Sequence, residues 1–210
     1  MSDIEKIDHH PRRSRLGNPG PLGLFSFAST TLVLSLYNVH ARHIAVPNVV
    51  VGMALFCGGL AQFLAGMWEF ATGNTFGATA FTSYGAFWLS FATLLIPNSG
   101  VASAYANAKP GMEDDAIGIF LISWMIVTFL FFLGSLRKSL GLTALFFFLT
   151  LTFMVLAIGN MMKKTDIVKG GGYLGIVTAL IAYYCGLSEM LTSDDLFTIP
   201  LGKYPPRRTD

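Results

Sequence analysis

Charge is what this chain has least of. Only 12% of its 210 residues are Asp, Glu, Lys or Arg, against about 25% in an ordinary soluble domain. A soluble domain of this size needs more polar surface than that to cover its core. Cysteine is scarce too, with Cys57 and Cys185 alone. Both lie in long apolar runs, which excludes a disulfide framework and reads as reduced packing thiols. The formal net charge of +2 is spread over ends and loops. It makes no groove-sized basic patch, so no nucleic-acid partner is expected.

The motifs of soluble-enzyme chemistry are absent from the sequence as well. There is no Gly-rich phosphate loop ending in Lys and no His-Glu-x-x-His. No catalytic residue and no cofactor are expected. His9 and His10 sit in a polar arm. His40 and His43, at i and i+3, can share one side of a turn, but zinc needs further ligands. No Cys or acidic partner is near them in sequence. No leader peptide is expected, because the first apolar run is followed by more apolar runs.

What the chain does have is hydrophobic length. Its composition is 53% hydrophobic and its mean hydropathy is +0.57. Six apolar runs stand out: Leu22–Val39, Val46–Trp68, Ala78–Ile96, Ile117–Leu136, Leu140–Met162 and Tyr173–Leu191. Each is close to the roughly 20 residues that span the hydrocarbon core. None holds Lys, Arg or Asp, and Glu189 is the one carboxylate inside these limits. Lipid offers the backbone no hydrogen bonds, so each crossing is expected to be a helix. The expectation is an all-α polytopic membrane protein. Residues 1–21 are expected to form an N-terminal arm, 22–191 a six-helix transmembrane domain and 192–210 a tail.

Even crossings put both termini on one side. That side carries nine Lys and Arg, the other five. The positive-inside rule therefore places both termini in the cytoplasm. The longest connection, 97–116, carries Glu113-Asp114-Asp115, a solvated run that suits the start of the fourth helix.

Several features read two ways. Gly52, Gly59 and Gly66 recur every seven residues, which suits tight helix packing or a wall of bare backbone. Ser26, Ser29, Thr30 and Asn38 in the first run, and Thr79, Thr82, Ser83 and Ser90 around Tyr84 in the third, either bond to their own helix backbone or line a weakly polar conduit. Asn18-Pro19-Gly20-Pro21 is a helix start whose N–H groups favour an anion. Glu69 is an interfacial anchor, or a proton-linked or gating carboxylate. Gly66-x-x-Glu69 and Gly186-x-x-Glu189 end their runs alike, too briefly to establish a repeat.

Three blocks together go further. Asn18-Pro19-Gly20-Pro21-Leu22-Gly23-Leu24, then residues 73–85 (Gly73-Asn74-Thr75-Phe76-Gly77 through Tyr84-Gly85) with Phe87-Trp88, and Leu156-Ala157-Ile158-Gly159-Asn160 resemble the acetate uptake transporter family, the succinate–acetate permeases. Gly20 stands where the usual signature has Ala, and the tail looks like fungal members. The resemblance implies a six-helix protomer with a central pathway, assembled as a homohexamer in the plasma membrane. It implies acetate as solute, with succinate or other short carboxylates in some members, linked to protons or passing as the neutral acid. It implies an apolar constriction at Phe27, Tyr84 and Leu149. Asn18, Ser26, Thr30, Thr79 and Asn160 are then expected to flank that constriction. Against this stands a channel for neutral solutes such as urea or ammonia, which an uncharged centre permits.

Overall fold

The structure is a computed structural model and describes residues 16–202 and 204. The expected arm up to residue 15 and most of the expected tail beyond residue 202 lie outside the described residues. Among the described residues there are six long helices: α1 (Gly20–Asn38), α2 (Val50–Thr72), α3 (Thr75–Leu95), α5 (Met112–Ser135), α6 (Leu140–Met161) and α7 (Thr165–Met190), with a short α4 (Val101–Tyr105) in the longest connection. Five of the six are apolar enough to cross a bilayer on composition. The exception, α3, is diluted by hydroxyls from Thr75 to Thr93, yet its 21 residues reach about 31 Å, a full hydrocarbon core.

Helix ends depart from the apolar runs where capping chemistry decides. α2 begins at Val50 rather than Val46, because Pro47 starts a turn whose carbonyl takes the Val50 N–H. It runs on through Glu69 to Thr72 and stops at Gly73, which holds φ +82°, a conformation glycine adopts without strain. Asn74 then caps α3, its side chain accepting the Gly77 N–H at 3.1 Å. The expected loop 163–172 is mostly helix, since α7 starts at Thr165. Glu113, Asp114 and Asp115 fall in the first turn of α5, where the helix dipole favours them.

The helices close into a ring in the order α3, α2, α1, α7, α6, α5. Neighbours pack closely except at the α3–α5 seam, where backbones stand apart. Aromatic side chains fill that seam. Phe76 meets Phe131 with ring centroids 5.7 Å apart, and Phe87 meets Trp124 at 5.1 Å.

The α2–α3 contact is tight because glycine removes the side chain. A Cβ on Gly66 would come within 2.6 Å of the Thr82 backbone nitrogen, and one on Gly59 within 2.8 Å of Leu89. The seven-residue period does not extend to Gly52, which faces open space. The reason is a π-helical stretch, Met53–Ala61, which has more residues per turn and rotates the stripe. Thr30 of α1 reaches into this stretch, its hydroxyl 3.4 Å from the Met53 carbonyl.

Candidate functional site

Two chambers lie inside the ring, and Phe27 lines both. The near chamber, of about 220 Å³, sits on the side where the described chain begins and ends. The far chamber is larger, about 350 Å³. Phe27, Tyr84 and Leu149 are each under 5% exposed. The Phe27 and Tyr84 rings are 5.5 Å apart. Tyr84 faces the near chamber and Leu149 the far one. The Tyr84 hydroxyl donates to Thr128 Oγ1 at 2.9 Å, and Thr128 donates to the Trp124 carbonyl at 2.7 Å. The phenol is thus satisfied across the seam and presents its ring, not its oxygen, to Phe27.

Helical phase decides which residues join them. On α1 the face of Phe27 carries Leu24, Thr31, Leu34, Ser35 and Asn38, spaced three or four apart. On α6 the face of Leu149 carries Leu142, Leu145, Phe146, Thr152, Leu156 and Asn160. Asn160 therefore lines the far chamber, its amide donating to the Leu156 carbonyl at 2.8 Å.

The other four expected flanking residues fall elsewhere. Ser26 and Thr30 are off phase and face α2. The Thr30 hydroxyl donates to the Ser26 carbonyl at 3.0 Å, and Cys57 Sγ lies 3.7 Å from the same oxygen. Thr79 is exposed and bonds back to the Thr75 carbonyl at 2.8 Å. Asn18 is exposed at the start of α1. It accepts the Gly20 N–H at 3.0 Å and donates to the Glu189 carbonyl at 3.2 Å, so it ties α7 to α1 instead of facing solute.

Two polar groups that sequence reasoning missed lie on the chamber walls. Gln62 is 1% exposed and lines the near chamber; Thr31 is 6% exposed and lines the far one. Gln62 Oε1 and Thr31 Oγ1 have no hydrogen-bond partner within the protein. A buried polar atom without a partner costs free energy unless solute or water supplies one. The signal for Thr31 was available, four residues after Phe27 on the same helical face.

Among the described residues, the charged groups that line the two chambers come from helix ends and connections, with Glu113 on the far one. The near chamber is bordered by Glu69, Glu189 and Lys138. Glu69 is 3% exposed and accepts from the Asn74 amide at 2.8 Å. Its carboxyl carbon sits 3.1 Å from the Cβ position of Gly77, in the first turn of α3. Glu189 stands likewise over the first turn of α1, its carboxylate where a Gly20 side chain would be. Thus the helix start expected to attract an anion already holds one from the protein. An alanine at position 20 would displace it. Lys138 lies 4.5 Å over the Phe76 ring. On the far side, His40, Lys163, Lys164 and Asp114 rim a further cavity of about 370 Å³ that shares Asn38 and Asn160 with the far chamber.

A ring of membrane helices around two chambers that share Phe27 fits the class of small-solute permeation proteins. The chain belongs to the GPR1/FUN34/yaaH family, whose model matches residues 4–205. It is 42% identical to Ammonia transport outward protein 2 of Saccharomyces cerevisiae, over 87% of this chain and 64% of that protein. It therefore spans just under two thirds of that relative's length. It is 39% identical to the succinate-acetate/proton symporter SatP of Escherichia coli K12, over 90% of this chain and 97% of that one. The solved structure of the bacterial acetate channel SatP superposes with a TM-score of 0.78 at 36% identity, covering 90% of this chain and all of that one.

Proposed function

We propose that the chain carries acetate and other short carboxylates, succinate among them, across a membrane through the Phe27–Tyr84–Leu149 neck. The observation that carries this reading is the apolar Phe27–Tyr84–Leu149 cluster with partnerless buried polar groups in the chambers on both sides, Gln62 in the near one and Thr31 and Trp88 in the far one. A carboxylate anion is costly to strip of water. A short carboxylic acid titrates near pH ~4, so roughly one molecule in a thousand is neutral at pH 7. A neck of two aromatic rings and a leucine admits the neutral form far more readily. Gln62 and Thr31 offer hydrogen bonds just before and just after it, replacing lost water without a charge that would trap the solute. The names of relatives, a succinate-acetate/proton symporter and an acetate channel, support the same solute.

The proposal includes cytoplasmic termini, which makes the near chamber the inner one, and a homohexamer in the plasma membrane surrounded by lipid. Glu69, at the near chamber, is assigned a proton-linked or gating role together with Glu189. Labelled-acetate uptake into proteoliposomes, with and without a pH gradient, tests the reading. Uptake no greater than in empty vesicles would end it.

A second reading has one specific support. A relative 42% identical is named for outward ammonia transport, and ammonia, being neutral, meets the same requirement at the neck. Vesicle alkalinisation on ammonia addition, compared with acidification by acetate, separates the two solutes.

A further inference from the structure

Residues 199–202 lie as a strap over the ends of α6 and α7, beside the near chamber. After α7 ends, residues 192–198 are exposed at every position. The chain then turns back over the ends of α6 and α7. The Ile199 carbonyl accepts from Ser188 Oγ at 2.6 Å and the Pro200 carbonyl from the Tyr184 hydroxyl at 2.7 Å. The Leu201 and Gly202 carbonyls accept the Gly141 and Leu140 N–H groups at 3.2 and 2.9 Å. These are the first two N–H groups of α6, which otherwise have no partner in their own helix. Ser139 takes the Leu142 N–H at 3.2 Å. Between exposed Pro200 and Gly202, Leu201 alone turns inward. It is 9% exposed and lines the near chamber.

We propose that this strap is a gate on the near chamber, with Leu201 as its plug, so that transport requires the strap to lift. The inference rests on the transport reading above. Its physical basis is the balance of the segment. A water-exposed tether leads to four residues that bury one side chain and hold a few hydrogen bonds at the membrane boundary. Such a segment belongs to the low-stability end of a fold, where local opening precedes global unfolding. The helices it rests on stay in place, because α6 and α7 pack along their lengths.

The neighbouring thiol makes the gate testable. Cys185 Sγ and Leu201 Cδ1 each lie 2.9 Å from the Cβ position of Gly141, so they touch the same spot. In a Cys57→Ser background, Leu201→Cys places a second thiol beside Cys185. Acetate flux in proteoliposomes is measured before oxidation, after it, and after dithiothreitol, with cross-linking followed by mass. Wild-type flux above empty vesicles secures the transport reading; its absence removes that reading and leaves the gate without an object. With flux present, the gate predicts that the cross-linked protein loses roughly tenfold or more of its rate and regains it on reduction. Cross-linked protein that carries acetate at the uncross-linked rate would overturn it. A second arm does not depend on the cross-link. Tyr184→Phe with Ser188→Ala removes two strap bonds and should raise flux several-fold, on the order of one to two hydrogen bonds' worth of equilibrium shift. Flux at or below the parent's, in protein with unchanged elution, would equally overturn the gate.

Discussion

The ring of Phe27 lies 5.5 Å from that of Tyr84, and Phe27 is the side chain that both chambers share. In the proposed pathway the neck is this contact between α1 and α3, completed from α6 by Leu149. On the proposed route a solute slides between an aromatic pair and an aliphatic side chain.

Width is the first consequence. Leu149→Ala should raise the rate for lactate or succinate relative to acetate several-fold, at a stability cost of about 2–5 kcal/mol for the truncated core leucine. Competition of unlabelled acids against labelled acetate measures the first effect and thermal melting in detergent the second. An unchanged acid preference in folded protein would place the neck elsewhere.

Gln62 gives a second test. Gln62→Leu removes an unsatisfied buried acceptor, so the fold should hold its melting temperature or gain. Acetate flux should fall roughly tenfold, the worth of one hydrogen bond to solute. A flux loss accompanied by an equal loss of folded protein would mean that Gln62 serves the bundle and not the pathway.

Thr30 and Thr31 should separate cleanly, though adjacent. Thr31→Val is expected to slow flux and leave stability near the parent's. Thr30→Val loses bonds to the Ser26 and Met53 carbonyls and should cost about 0.5–1.5 kcal/mol with little change in flux per folded molecule. The reverse pattern would contradict the helical phase assigned to α1.

The glycine stripe predicts unequal outcomes from equal substitutions. Gly66→Ala drives a methyl onto the Thr82 backbone and should destabilise by about 1–3 kcal/mol. Gly52→Ala meets nothing within 4 Å and should be tolerated. Melting temperatures of the two variants check this directly.

Passage as the neutral acid fixes the sign of the pH dependence. The neutral fraction grows as pH falls, about tenfold per unit well above the solute pKa of ~4. At constant total acetate, initial uptake should rise steeply as the donor side goes from pH 7 to pH 5. A flat profile would identify the anion as the permeating species.

Much of this was legible along the chain. Apolar runs of bilayer length and charge confined to the ends are one-dimensional facts, because the bilayer imposes a single axis and a single solvent. The three motif blocks carried the family, and through it Phe27, Tyr84 and Leu149. The hydroxyls were harder. Ser26, Thr30 and Thr31 are near neighbours in sequence, and the rotation of α1 against the ring is what turns Thr31 to the chamber and Thr30 to α2. That rotation depends on packing between segments far apart in the chain, which no local pattern specifies.

The sequence by itself determined that the protein lives in a bilayer, how many long helices it has and which family's motifs it bears, since these follow from composition and order. Only the tertiary structure decided that the glycine stripe breaks at Gly52, that Glu69 and Glu189 line one chamber, that Gln62 and Thr31 face the near and far chambers, and that Leu201 returns to line the near one. Each of those depends on the relative rotation and approach of helices, which close packing sets in three dimensions.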